Sequence, residues 1–157
     1  MKKLIFPFLI LGFLLTSCEN DDDVCVSGEA TPRLKIKFKS ADNKVLTLDS
    51  LYLDVDYGNN NILTVVRAAK VDSALIPIRV DDAGFTELYV RKTKKGSVSK
   101  IKLNYNTTSE YVSPACGFKR LYQNLTGTLE TANPATKVEL NQNQIINENK
   151  AHLYLVF

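Results

Sequence analysis

Three cysteines, Cys18, Cys25 and Cys116, and one histidine, His152, are the residues of this chain with the most restrictive chemistry. Nucleophilic catalysis needs a nucleophile within reach of a base that a third group orients. His152 is the lone imidazole. The alternation of Ala151, Leu153, Leu155 and Phe157 with His152, Tyr154 and Val156 puts it on the outer face of a strand. No Gly-x-Ser-x-Gly nucleophile turn and no glycine-rich phosphate loop occurs. A zinc site fails on ligand count, because one histidine and widely spaced cysteines cannot supply four ligands. Asp54 and Asp56 share a strand face, and the run from Asp54 to Asn59 partly matches a calcium loop. Its glycine comes one position early, however, and Val65 stands where the closing Glu belongs. Asp81 and Asp82 are adjacent, which suits a turn. These residues lead us to expect no enzyme activity, no metal and no cofactor.

Cys18 has a different chemistry. The chain opens with Met1, Lys2 and Lys3, and an apolar run follows from Leu4 to Leu15. That run is too short for a membrane-spanning helix, which needs roughly 20 residues. A positive start, a short apolar centre and small residues at the end make a signal peptide over residues 1–17. The ending Leu15-Thr16-Ser17-Cys18 resembles the bacterial lipobox, which implies cleavage before Cys18 and acylation of that residue. Stable anchoring takes two lipid signals, and each buried methylene contributes about 0.8 kcal/mol. A multiply acylated Cys18 is therefore expected to hold the protein to a membrane without a spanning helix.

Charge and length bound the remainder. Of 20 basic residues, Lys2 and Lys3 leave with the signal, so 18 face 17 acidic ones and the mature chain is almost neutral. That balance gives no reason to expect a nucleic-acid partner. Hydrophobic and charged fractions of 45% and 24% are ordinary for a globular domain. Four acidic residues, Glu19, Asp21, Asp22 and Asp23, directly follow the lipidation site. Two readings fit them. One is a solvated spacer. The other is a sorting signal, since an acidic stretch after the lipidated cysteine resembles the one that sends Bacteroidota lipoproteins to the outside of the outer membrane. Residues 18–30 are accordingly expected to be a tether, and 31–157 a single domain.

Cys25 and Cys116 form an even pair in a chain bound for an oxidising compartment. A disulfide between them closes a loop of roughly 90 residues, for which chain entropy predicts about 4–5 kcal/mol of stabilisation. Two buried free thiols are the alternative. Asp49-Ser50-Leu51 and Asp72-Ser73-Ala74 resemble the Bacteroidota O-glycosylation acceptor, which marks Ser50 and Ser73. Motifs of three residues also recur by chance. The same holds for the Asn-x-Thr matches at Asn106 and Asn124.

The positioning elements read as strands. Leu34, Ile36 and Phe38 alternate with Arg33, Lys35, Lys37 and Lys39, the pattern of a half-buried strand. Leu51, Leu53, Val55 and Tyr57 repeat it. Strands are also expected over 62–67, over 75–80 (an edge or bulged strand, because of Pro77), over 85–91 and around Ile101, Leu103 and Tyr105. Phe118, Leu121, Tyr122 and Leu125 have helical spacing. The fold class is all-β: an antiparallel β-sandwich of about seven to nine short strands with at most one short helix.

Several blocks of the chain are together similar to an uncharacterised Bacteroidota lipoprotein family, domain of unknown function 6452. They are Asp22-Asp23-Val24-Cys25, Thr31-Pro32-Arg33-Leu34, Ile76-Pro77-Ile78, Leu103-Asn104-Tyr105, the run from Tyr111 to Phe118, and Asn147-Glu148 followed by His152. The resemblance implies no assigned activity and no catalytic residue, and its pairing of Cys25 with Cys116 fits the disulfide. The expected function is that of a non-enzymatic binding or interaction module, tethered to the outer membrane through lipid on Cys18, with a protein or glycan partner. The alternative is a structural accessory of an envelope complex on the periplasmic face.

Overall fold

The computed structural model describes residues 30–59 and 61–157. Nine strands follow in chain order: β1 Leu34–Lys39, β2 Leu48–Asp56, β3 Ile62–Val71, β4 Ser73–Ile76, β5 Phe85–Arg91, β6 Ser99–Ser113, β7 Gly117–Thr131, β8 Lys137–Leu140 and β9 Leu153–Val156. They form two sheets, a four-stranded one in the order β4-β1-β9-β8 and a five-stranded one in the order β3-β2-β5-β6-β7. The described residues are all-β, and the two sheets make a sandwich.

Period-two patterning places the core. In β1, Leu34, Ile36 and Phe38 are fully buried while the lysines between them are half-exposed. In β2, Leu51, Leu53 and Val55 do the same, and they meet Leu88 and Val90 of β5, Ile101 and Leu103 of β6, and Leu153 and Leu155 of β9 in one cluster. Each such side chain contributes about 1.5–3 kcal/mol on burial, which is why the inward faces fix strand register. Gly127 lets β8 lie close over β7, since a Cβ there would meet Val138 Cγ1 at 3.0 Å.

Three expectations need correction, and one pattern needs a physical account. The helical spacing of Phe118 to Leu125 belongs to strand β7, and no described residue is helical. Asn104 pairs with Thr126 and Asn106 with Gln123, so two residues of β7 oppose one of β6. This β-bulge, with Asn124 at φ 54°, shifts the phase. Tyr122 and Leu125 thus both point inward three residues apart, and that interval reads as helical.

The sandwich is also not wholly antiparallel, because β1 and β9 pair in parallel, Ile36 with Leu153 through Lys39 with Val156. Alternation marks which face is buried, and it is the same whichever way a strand runs. Nor are all the strands short, since β6 and β7 have 15 residues each. Finally, the strand expected over 75–80 ends at Ile76, immediately before Pro77. It does lie at the edge of its sheet, where a residue without an N–H is tolerated.

Candidate functional site

Asn141 to Lys150 connect β8 to β9 and form the wall of a concavity of about 670 Å³. Backbone bonds hold this loop against β7. Ile145 N donates to Tyr122 O at 2.8 Å, Tyr122 N returns a bond to Ile145 O at 3.2 Å, and Leu125 N donates to Asn143 O at 2.8 Å. Ile145 is fully buried and pins the middle of the loop to the core. At its far end Asn141 N and Gln142 N both donate to His152 O, at 2.8 and 3.1 Å.

Six amide side chains face this concavity: Asn141, Gln142, Asn143, Gln144, Asn147 and Asn149. Asn141 Nδ2 donates to Ala151 O at 2.6 Å, and Asn147 Oδ1 accepts from Asn149 N at 3.1 Å. The side chains of Gln142, Asn143, Gln144 and Asn149 make no hydrogen bond among the described residues, which leaves their donors and acceptors to a ligand or to water. Leu140 and Ile146, about half exposed, add apolar surface. Among the described residues, Lys150 is the one titratable residue in the lining. Amides donate and accept hydrogen bonds but do not titrate at ordinary pH. The arrangement can hold a neutral polar ligand and offers no proton-transfer pair. Its volume falls within the usual ligand-site range of about 300–1,000 Å³.

Beside this loop, Glu148 is committed to the body. Arg33 Nε and Nη2 each donate to its carboxylate at 2.8 Å, and Arg33 N adds a third bond at 3.0 Å. The Arg33 guanidinium holds the Glu148 carboxyl below the usual range. Lys35 Nζ donates to Glu148 O at 2.9 Å.

His152 is not on an outer face, as its alternation suggests. It is fully buried just ahead of β9. Its N donates to Lys35 O at 2.8 Å, and Lys35 N donates to its Nδ1 at 2.8 Å. The imidazole thereby continues the β1–β9 ladder by one rung, and the 141–150 loop closes over it. Burial pushes its pKa below the ordinary value. With Nδ1 accepting from a backbone N–H, the proton of the neutral ring sits on Nε2, which has no partner among the described residues. Phe157, expected in the core, is only partly buried, with its ring edge-on to Phe38 at 5.8 Å.

The remaining expected residues are scattered. Asp54 accepts from Thr64 Oγ1 at 2.6 Å and pairs with Arg91, whereas Asp56 accepts from Gly58 N at 2.7 Å. The two carboxylates serve different local partners. Ser50, in β2, donates to Lys92 O, and Ser73, the first residue of β4, donates to Asp72 Oδ1 at 3.0 Å. Both serines are half-buried. Asp81 and Asp82 lie in the turn before β5 and pair with Arg79 and Arg120. Cys116 lies at the β6–β7 turn, where its N donates to Ser113 Oγ at 3.1 Å. The expected signal peptide over residues 1–17, and Cys18, Glu19, Asp21, Asp22, Asp23 and Cys25, lie outside the described residues.

The amide loop was not singled out from the sequence. Six Asn and Gln in nine residues are a visible signal, but that composition is equally that of an ordinary polar connection. Only its backbone pairing to β7 shows that the loop is held in one shape.

No curated protein and no solved structure matches the chain. The profile of a family of unknown function, DUF6452, matches residues 45–157, from the turn after β1 to the last residue of β9 and beyond it to Phe157. On that match, which covers well over half of its length, the chain belongs to the DUF6452 family.

Proposed function

We propose that the protein is a Bacteroidota outer-membrane lipoprotein, anchored through lipid on Cys18, that acts as a non-enzymatic binding module. The observation that carries this reading is Leu15-Thr16-Ser17-Cys18 after a short apolar run. The amide-lined concavity supports the second half of it, because such a lining suits recognition of a neutral polar partner, a glycan or a protein surface, rather than turnover. Mass spectrometry of the mature N-terminal peptide is expected to find acyl chains on Cys18 and no residue before it. An unmodified residue 18, or cleavage elsewhere, would end the proposal.

The acidic residues after Cys18 act, in this reading, as the signal for display on the cell surface. Replacing Glu19, Asp21, Asp22 and Asp23 together by Ala is expected to leave the protein in the outer membrane but remove it from antibody labelling of whole cells. Unchanged labelling would make the run a spacer only. Within the same proposal Cys25 and Cys116 are paired, and Ser50 and Ser73 are O-glycosylation acceptors. Both hydroxyls already have hydrogen-bond partners, so a glycan on either requires its local contact to open.

A further inference from the structure

Past Tyr105 the β6–β7 hairpin leaves the sandwich. No residue from 106 to 121 is fully buried, although the two strands stay paired as far as Ser113 and Gly117. Its outermost eight residues, Tyr111 to Phe118, carry no charged side chain. Glu110 and Lys119 stand directly beneath them, opposite one another and bridged at 2.9 Å. Tyr111 and Phe118 are cross-strand partners, 56% and 69% exposed, with their rings edge-on at 5.4 Å. These rings rest on each other and not on the core. An uncharged tip with two exposed aromatics above a charged collar is poorly suited to water. It suits the membrane interface, where amphipathic rings settle at headgroup depth.

The start of the described chain lies on the same hairpin. Arg120 N donates to Thr31 Oγ1 at 2.9 Å, two residues from Phe118. Thirteen chain steps separate Cys18 from Thr31, so a lipid on Cys18 lies within about 45 Å of this point. The tip extends only four ladder steps past Ser109, the partner of Arg120, or about 13 Å. The leash therefore lets the tip meet the bilayer that holds the lipid. Pairing of Cys116 with Cys25 would shorten it to seven residues, about 25 Å.

We infer that residues 111–118 form a membrane-contact element that seats Tyr111 and Phe118 in the headgroup layer beside the lipid anchor. The inference rests on the anchor reading above. The tip's own backbone limits insertion to that layer, because unpaired turn amides are not tolerated in hydrocarbon. Seated this way, the sandwich is oriented on the membrane by two attachments, the lipid and the tip.

The chain has no tryptophan, so a single one reports its own surroundings. Full-length lipidated Phe118→Trp is placed in vesicles of phosphatidylethanolamine and phosphatidylglycerol, with and without brominated acyl chains. Val45→Trp serves as the control, since Val45 is 71% exposed and bridges Lys39 at the opposite end of β1. Phe118→Trp emission is expected to shift to the blue and to lose intensity with brominated lipid, while Val45→Trp does neither. Equal, weak quenching at both positions in protein that floats with the vesicles would overturn the contact and leave the tip to a protein partner. Protein that fails to float would overturn the anchor itself, and the contact with it.

Discussion

Replacing Cys116 by Ser is expected to lower the unfolding free energy by about 4–5 kcal/mol, the value chain entropy predicts for a loop of roughly 90 residues. Cys25→Ser should have the same effect, because either change opens the pairing we propose. The bond would tie the segment ahead of β1 to the turn between β6 and β7. The outer part of that hairpin has no core contacts of its own, and Thr31 touches β7 through a single hydrogen bond. Urea unfolding of oxidised protein, of reduced protein and of each variant is the direct measurement. Reduction and both substitutions should give one common midpoint below that of the oxidised protein. Free thiols at both positions in protein purified from the envelope would rule the bond out.

His152→Ala is expected to cost about 3 kcal/mol, because it leaves a cavity in a closed site and removes the acceptor of the Lys35 N–H. The imidazole also makes stability depend on pH. Burial lowers its folded pKa below the ordinary 6.5, so the unfolded chain binds the proton more readily. The stabilisation from the neutral ring is complete above pH 6.5 and is lost as pH falls through the folded value. Protonation would also place a second N–H at Nδ1, facing the Lys35 N–H that now donates to it. Glu148, held low by Arg33, adds a loss that begins only below its ordinary value of 4.5. Unfolding midpoints at pH 7.5 and 5.5 therefore separate the two. The wild type should weaken between them, and His152→Ala, already weaker, should show a flatter profile. An equal acid slope in the variant would assign the effect to another group.

The inward faces of β1, β2 and β6 were legible because burial acts on each residue separately. Leu34, Ile36, Phe38, Leu51, Leu53, Val55, Ile101 and Leu103 are fully buried, and a period of two is all that such burial needs. The edge position of β4 was legible through Pro77, whose missing N–H is a property of one residue. The lipoprotein signal we propose ahead of the body has a similar basis. A signal peptide and a lipobox are read as extended sequence, and no fold is required to assemble them.

Other features depended on partners distant in the chain. The β7 bulge exists only in register with β6, so Tyr122 and Leu125 mimicked a helix until Asn104 and Asn106 were placed opposite. The parallel pairing of β1 with β9 joins residues more than 110 positions apart, and alternation carries no direction. His152 is buried because the ladder to Lys35 and the loop over β7 converge on it, although its own strand pattern puts it outside. The amide concavity and the projecting aromatic tip are likewise made by pairing with β7 and by departure from the second sheet. Local sequence thus determined which side chains must leave water. The tertiary structure alone decided which strands are neighbours, and with that which polar groups are enclosed and which apolar ones are left outside.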